Sequence, residues 1–336
     1  MRNKKTLIIA EAGVNHNGSI LLAKKLINIA AKSGADYVKF QTFKADDLAL
    51  PNTKFASYQK KKSFKTKNQY ELLKKLQLKK KDHLKLISYC KIKKIKFLST
   101  AFDIDSLKFL QKLKLDFIKI PSGEITNFPY LVEIARLKKN TIVSTGMCTI
   151  KEIQFCLKTL IDYGLKKRQI NLMHCNTSYP TPYQDANLNC ITQLKRKFNT
   201  NIGYSDHTLG IITPVIAVSL GATIIEKHFT LDKNLPGPDH KASLEPKELK
   251  EMVNSIRNAE VLLGDSNKKV TPSEKKNIKV VRKSIVAKKN ILYGERFNNK
   301  NLDTKRPFNG ICASKWKKII GRKSKRNYQK NQLIKF

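Results

Sequence analysis

His207 closes the run Ile-Gly-Tyr-Ser-Asp-His, and His228 closes Ile-Ile-Glu-Lys-His before a Phe. Each run is short and polar only towards its end, as a buried strand would be. Imidazoles at matching carboxyl ends of neighbouring parallel strands can share one divalent ion, and a Gly-Pro-Asp-His turn at 237–240 follows the second. Lys39 and Lys119 stand inside apolar strand candidates, where a cation without a partner is costly to bury, so the pair suggests a pocket for an anion. Cations, metal-ligating imidazoles and an anionic substrate together point to an enzyme.

Positioning such groups requires strands that end at one face. Short apolar, β-branched runs alternate eight times with stretches of helical period. The strand candidates are 7–13, 37–43, 95–102, 117–123, 141–147, 170–177, 201–207 and 223–230. Helical patterns are clearest at 21–32, 106–113, 150–163 and 248–263, with apolar residues three and four apart. Eight strand–helix rounds in about 260 residues predict a closed (β/α)8 TIM barrel rather than an open doubly wound sheet. No Gly-x-Gly-x-x-Gly follows the first strand, which weighs against dinucleotide binding. The carboxyl ends carry Glu11; Lys39 and Gln41; Ser99 and Thr100; Lys119 and Ser122; Ser144 and Thr145; His174; Ser205 and His207; and Glu226 and His228. All eight ends are polar, so these residues are expected to converge on one cavity at the barrel mouth.

The chain has 336 residues, room for one large domain and a small appendage. Residues 1–264 are assigned to the barrel, 265–280 to a polar linker, and 281–336 to a small β-rich module with a strand at 284–287 and turns at Tyr293-Gly294 and Asn309-Gly310. Lys and Arg total 67 against 26 Asp and Glu, a net charge of +41. The lysines are spread along the chain on the polar sides of helices rather than gathered in one aromatic-laced arm, which argues against specific nucleic-acid recognition. Nonspecific adhesion to polyanions at low salt is expected, as is attraction of anionic substrates. The six cysteines form no Cys-x-x-Cys pair and suit reduced thiols in the cytoplasm. The first apolar stretch, 7–10, is too short for a signal sequence and runs into Glu11, and no run reaches the roughly 20 residues of a membrane span.

Eight motifs carry a family resemblance along nearly the whole chain: Ile-Ala-Glu-Ala-Gly-Val-Asn-His-Asn-Gly at 9–18, Val-Lys-Phe-Gln-Thr at 38–42, Lys-Ile-Pro-Ser-Gly-Glu at 119–124, Ser-Thr-Gly-Met at 144–147, Tyr-Pro-Thr-Pro at 179–182, Gly-Tyr-Ser-Asp-His at 203–207, Glu-Lys-His-Phe-Thr at 226–230 and Gly-Pro-Asp-His-Lys-Ala-Ser at 237–243. The chain resembles the bacterial sialic acid (N-acetylneuraminate) synthase family, and its tail, through Arg-Lys-Ser-Ile-Val at 282–286 and Lys-Arg-Pro at 305–307, the antifreeze-like (SAF, β-clip) domain of that family.

The resemblance implies condensation of phosphoenolpyruvate with N-acetylmannosamine and water to give N-acetylneuraminate and phosphate. The alternative is legionaminic acid synthesis from 2,4-diacetamido-2,4,6-trideoxymannose, or use of a sugar phosphate such as N-acetylmannosamine 6-phosphate. It also implies that Lys39, Thr100, Lys119, Ser122, Ser144 and Ser205 hold phosphoenolpyruvate, and that His207 and His228 hold a divalent metal, manganese first and magnesium or cobalt next. Tyr179, Asp239 and Arg306 would lie on the sugar side. Glu124 is the first choice for the carboxylate that handles the attacking water, with Glu11 second, near the sugar. Arg306 would reach the N-acetyl group from the opposite subunit of a domain-swapped homodimer. Thr177 stands where some relatives have Asn, Ala101 where Pro is usual, and the tail 323–330 is unusually basic. Sugar specificity would lie in the segment 44–68, the loop after Asp239 and the tail. A noncatalytic polyanion-binding protein is the remaining alternative, supported by charge alone.

Overall fold

The computed structural model describes residues 5–55 and 66–335. Eight parallel strands close into a barrel: β1 (Leu7–Gly13), β2 (Tyr37–Thr42), β3 (Lys96–Ala101), β4 (Ile118–Ile120), β5 (Thr141–Ser144), β6 (Ile170–Cys175), β7 (Asn201–Asp206) and β8 (Ile224–His228), with β8 pairing back onto β1. Helices follow each strand, so the expected (β/α)8 architecture is present. The helix starts are built locally: Ser19 caps Ile20–Ser33, and Thr149 with Glu152 forms a capping box at the head of Ile150–Asp162.

Successive strand residues point to opposite faces, and this alternation divides the barrel wall. Ile8, Ala10, Val38, Phe40, Ile118, Ile120, Ile202, Tyr204 and Ile225 join the helix side chains in one continuous apolar layer. The other set points inward. Ile9, Tyr37, Leu98, Ile142, Met173 and Ile224 pack as an apolar plug across the barrel interior. Two residues further along the same strands come Glu11, Lys39, Thr100, Ser144, Cys175 and Glu226, so the polar layer rests on a rigid floor. The side of the wall that each residue faces also corrects the expectation that all the strand-end polar residues share the mouth. Ser99 meets Thr42 at 2.7 Å, Thr145 donates to the Met173 carbonyl at 3.0 Å, and the His174 ring stacks on Tyr204 with its Nε2 2.8 Å from the Ala186 carbonyl. None of these three lines the cavity.

The chain divides into two compact units, Met1–Gly264 and Asp265–Phe336. The second holds an antiparallel pair, β9 (Ser284–Ala287) with β10 (Leu302–Lys305), and its own small core of Ile285, Ala287, Ile291, Phe297, Leu302, Ile319, Tyr328 and Ile334. Residues 265–280, expected as a linker, contain most of a helix, Pro272–Val281. Thr271 and Glu274 close a capping box around Pro272, and the helix buries none of its own residues. No helix among the described residues is long and apolar enough to cross a membrane.

Candidate active site

The polar layer opens into a cavity of about 400 Å³ at the carboxyl ends of the strands. Strand register dictates its contacts. Glu11 lies beside Lys39, and Lys39 Nζ sits 3.0 Å from Glu11 Oε1, 3.0 Å from Thr100 Oγ1 and 3.6 Å from Glu226 Oε2. Across the barrel Lys119 Nζ donates to Ser144 Oγ at 2.8 Å and lies 3.4 Å from Glu226 Oε1. Ser205, in register with Glu226, donates to the same oxygen at 3.0 Å. Two ammonium groups and two carboxylates therefore interlock in a layer almost closed to solvent. One oxygen of each carboxylate, Glu11 Oε2 and Glu226 Oε2, has no hydrogen-bond partner.

Charge divides unequally among these groups. Burial opposes the Glu226 carboxylate, but Lys119 and Lys39 outweigh it and hold its pKa down at about 2. Burial is also the largest influence on Glu11, which has only Lys39 close by and the Glu226 charge against it, so its pKa is pushed up to about 7. Lys39 remains firmly cationic because Glu11 and Glu226 overcome its own desolvation, whereas burial pulls Lys119 below the ordinary lysine value. The layer thus sets the Lys39 ammonium and a Lys119 of lowered basicity against one full negative charge on Glu226 and one carboxyl, Glu11, poised near neutrality.

Above this layer stand the two imidazoles, their ring centres 5.3 Å apart. His207 Nδ1 is 2.5 Å from the Asn176 carbonyl, which accepts its hydrogen and leaves the Nε2 lone pair as the ligating position. His228 Nδ1 is buried with no hydrogen-bond partner, 3.7 Å from Asp239 Oδ2. Burial lowers the pKa of both rings, His207 to about 4, so both are neutral ligands at physiological pH. The same burial raises Asp239 to about 7. The Tyr179 ring centre lies 4.1 Å from that of His207. Gly13 makes this approach possible: at φ +50° the strand breaks register, and a Cβ there would stand 3.3 Å from His228 Cε1 and 3.5 Å from Asp239 Oδ2. A neutral imidazole pair with an orphaned buried nitrogen fits a divalent cation. Among the described residues no third His, Cys, Asp or Glu joins them as a ligand set, so the protein would supply only two donors.

Every residue singled out from the sequence for phosphoenolpyruvate, namely Lys39, Thr100, Lys119, Ser122, Ser144 and Ser205, lines the cavity, as do Glu11, Tyr179, His207 and His228. Ser122 Oγ accepts from the Gly146 amide at 2.9 Å, which fixes the β4 and β5 loops together. Glu124 does not line it. The residue closes the short turn Ser122–Glu124, and its carboxylate accepts from Asn127 at 2.5 Å, pointing the group along its own loop instead of into the barrel. Arg306 is exposed and belongs to the second unit. From the sequence, Glu226 stands out only as a strand-end polar residue. Its signal was present in Glu-x-His, which puts Glu226 and His228 on one face of β8, as Ser-x-His does for Ser205 and His207 on β7. Gln41, Phe102, Pro121, Gly123, Met147, Cys175 and Thr177 complete the lining. Part of the segment 44–68, expected to bear on sugar choice, falls on 56–65, outside the described residues.

Comparison with known proteins places these features in context. A model of the NeuB family matches residues 26–268, and one of the SAF domain matches 282–336. An N,N'-diacetyllegionaminic acid synthase of Campylobacter jejuni is 53% identical over 98% of this chain and 99% of its own length. A synthase of the same name from Legionella pneumophila is 46% identical over 94% of this chain and 89% of its own length. Among solved structures, an N-acetylneuraminic acid (sialic acid) synthetase from Leptospira borgpetersenii superposes with a TM-score of 0.74 at 35% identity, covering 82% of this chain and 91% of that one.

Proposed function

The chain belongs to the NeuB family and is a sugar-acid synthase, and from that premise we propose that it condenses phosphoenolpyruvate with 2,4-diacetamido-2,4,6-trideoxymannose and water to give N,N'-diacetyllegionaminic acid and phosphate. The choice of sugar inverts the sequence-based order, which put N-acetylmannosamine first. What supports it is the end-to-end similarity to two synthases named for the diacetylated product. The reaction class rests on one observation: two buried ammonium groups, two carboxylates and two neutral imidazoles share a single cavity.

Phosphoenolpyruvate presents a phosphate and a carboxylate, and Lys39 and Lys119 supply the fixed charge to hold them, with Thr100, Ser122, Ser144 and Ser205 donating neutral hydrogen bonds. A divalent ion, manganese for preference, would be held by His207 and His228 and would polarise the sugar aldehyde as a Lewis acid. In the condensation C3 of phosphoenolpyruvate bonds to the aldehyde carbon, water adds to C2, and phosphate leaves with the C2–O bond. Glu124 is replaced here as the carboxylate that handles water, because it does not line the cavity. Glu11, with a pKa near 7, donates its proton to the aldehyde oxygen as the carbon–carbon bond forms, then recovers one from the attacking water. Glu226 stays ionised and holds both lysines in place. Tyr179, in the lining, would contact sugar hydroxyls, whereas Asp239 is buried beside His228 outside the lining, and a sugar contact from it rests on the family resemblance alone. Arg306 would clamp an acetamido carbonyl from the small domain of the partner in a swapped homodimer, a role suited to its rigid donor fork.

The test is phosphate release from phosphoenolpyruvate with manganese, comparing the diacetamido-6-deoxy sugar, N-acetylmannosamine and its 6-phosphate, with a chelated control. Release with the diacetamido sugar at a kcat/KM at least about tenfold above the others, abolished by chelator, is the expected result. A preference for N-acetylmannosamine would return the sequence-based reading to first place.

A further inference from the structure

Directly behind the two imidazoles, on the opposite face of the sheet, lies an ion pair fully closed to solvent. Asp206 and Lys227 are register partners on β7 and β8, one residue before His207 and His228, and both side chains are 0% exposed. Lys227 Nζ is 2.6 Å from Asp206 Oδ2 and donates to the Thr208 carbonyl at 2.5 Å. Asp206 Oδ2 also accepts from Thr213 Oγ1 at 2.7 Å, and its Oδ1 accepts from the Thr208 amide at 2.9 Å and the Tyr204 hydroxyl at 3.0 Å. The surrounding strand positions, Ile202, Tyr204, Ile225 and Phe229, belong to the apolar layer between barrel and helices.

Stability alone does not account for this arrangement. A buried ion pair loses hydration that its attraction only roughly repays, and well-packed apolar side chains of the same volume serve equally well or better. What the pair adds is direction. An apolar contact lets two strands slide by a few tenths of an ångström, whereas an ammonium with two fixed acceptors and a carboxylate with four donors set both spacing and register. The two imidazoles need that help unequally. His207 has its ring nitrogen tied to the Asn176 carbonyl, but His228 Nδ1 has no hydrogen-bond partner, so the ring is placed by its backbone and packing.

We propose that Asp206 and Lys227 are positioning residues, pinning the ends of β7 and β8 from behind so that His207 and His228 are held at the spacing one divalent cation requires. The inference rests on the metal reading above, and the experiment separates the two. Manganese binding is measured on the full chain without substrates, from the loss of the free-ion electron paramagnetic resonance signal, alongside thermal unfolding in chelator. In Lys227→Met the Asp206 charge is buried without its partner, and both readouts should fall. The double variant Asp206→Asn/Lys227→Met restores a neutral, filled layer. It should unfold close to the wild-type temperature yet bind manganese at least about tenfold more weakly. A purely structural role would restore affinity together with stability, so a stable double variant of wild-type affinity overturns the proposal. Thr213→Val, which removes the hydroxyl's hydrogen bonds to Asp206 Oδ2 and Thr208 Oγ1 and leaves the ion pair intact, covers the case of a double variant that fails to fold. About fivefold weaker binding is expected of it, and unchanged affinity again overturns the proposal. A wild-type chain that takes up no manganese overturns the metal assignment first, and this inference with it.

Discussion

One ammonium, that of Lys39, stands between two carboxylates, and the second ammonium decides which of them stays charged. Lys119 reaches only Glu226, so Glu226 carries the permanent charge and Glu11 the mobile proton. Replacing Glu226 by Gln leaves Lys119 without a carboxylate and Lys39 with Glu11 alone. Steady-state kinetics should then show kcat lower by about a hundredfold or more while KM for phosphoenolpyruvate falls or holds, because ground-state anion binding strengthens as the geometry of the reacting layer is lost. An unchanged kcat would remove Glu226 from the machinery. Asp239 makes a separate prediction about stability. Its folded pKa, about 7, lies above the ordinary 3.8 because of burial, so the folded state binds the proton more tightly. That stabilisation is complete below about pH 4 and is lost as pH rises through about 7, by an amount up to about 4 kcal/mol. In chelator, Asp239→Asn should flatten the decline of unfolding free energy across this window. Parallel profiles for variant and wild type would show that the carboxyl is not held in its buried, protonated form.

At the scale of elements, the strands that carry the site were legible in outline. Leu7, Tyr37, Thr141, Ile170 and Asn201 begin strands where apolar, β-branched runs begin, and the capping box at Thr149 and Glu152 starts its helix at Ile150. The facing of each residue was harder. Ser99, Thr145 and His174 are as polar and as close to strand ends as Thr100, Ser144 and Ser205, and only the two-residue alternation anchored by the inward plug separates them. Glu124 misled because a Pro-Ser-Gly turn bends the chain away before it, and single-sequence periodicity does not register that bend. Gly203 is the element-scale feature with the sharpest consequence. A Cβ there would lie 2.6 Å from the Ile224 carbonyl oxygen and 2.9 Å from Ile224 Cβ, so β7 can approach β8 only because the residue has no side chain. Gly203→Ala should cost about 1–3 kcal/mol in denaturant unfolding and, by spreading β7 from β8, weaken manganese binding as well. Lost stability with intact metal affinity would mean that the strand ends move independently of the crowded middle.

Over the whole molecule the dominant quantity is charge, +41 over 336 residues. The buried acidic groups do little to answer it: Glu11 and Glu226 inside the barrel, and Asp206 on the outer face of β7, are engaged with Lys39, Lys119 and Lys227, and the remaining excess lies on lysine-rich outer faces. That distribution suits a field that draws phosphoenolpyruvate towards the mouth without forming a sequence-reading surface for nucleic acid. Steering by exposed charge is screened within about 10 Å at 0.1 M salt, whereas contacts inside the buried layer are screened far less. The two contributions therefore separate on titration with salt. Between about 0.05 M and about 0.5 M sodium chloride, KM for phosphoenolpyruvate should rise several-fold with kcat nearly constant, and any retention on nucleic acid should vanish over the same range. The proposed diacetamido sugar, being neutral, provides the internal control, since its KM has no steering to lose. A KM for phosphoenolpyruvate that ignored salt would assign anion capture wholly to Lys39 and Lys119 and leave the surface charge without a part in catalysis. Nucleic-acid binding that survived high salt would instead give the basic faces a partner of their own.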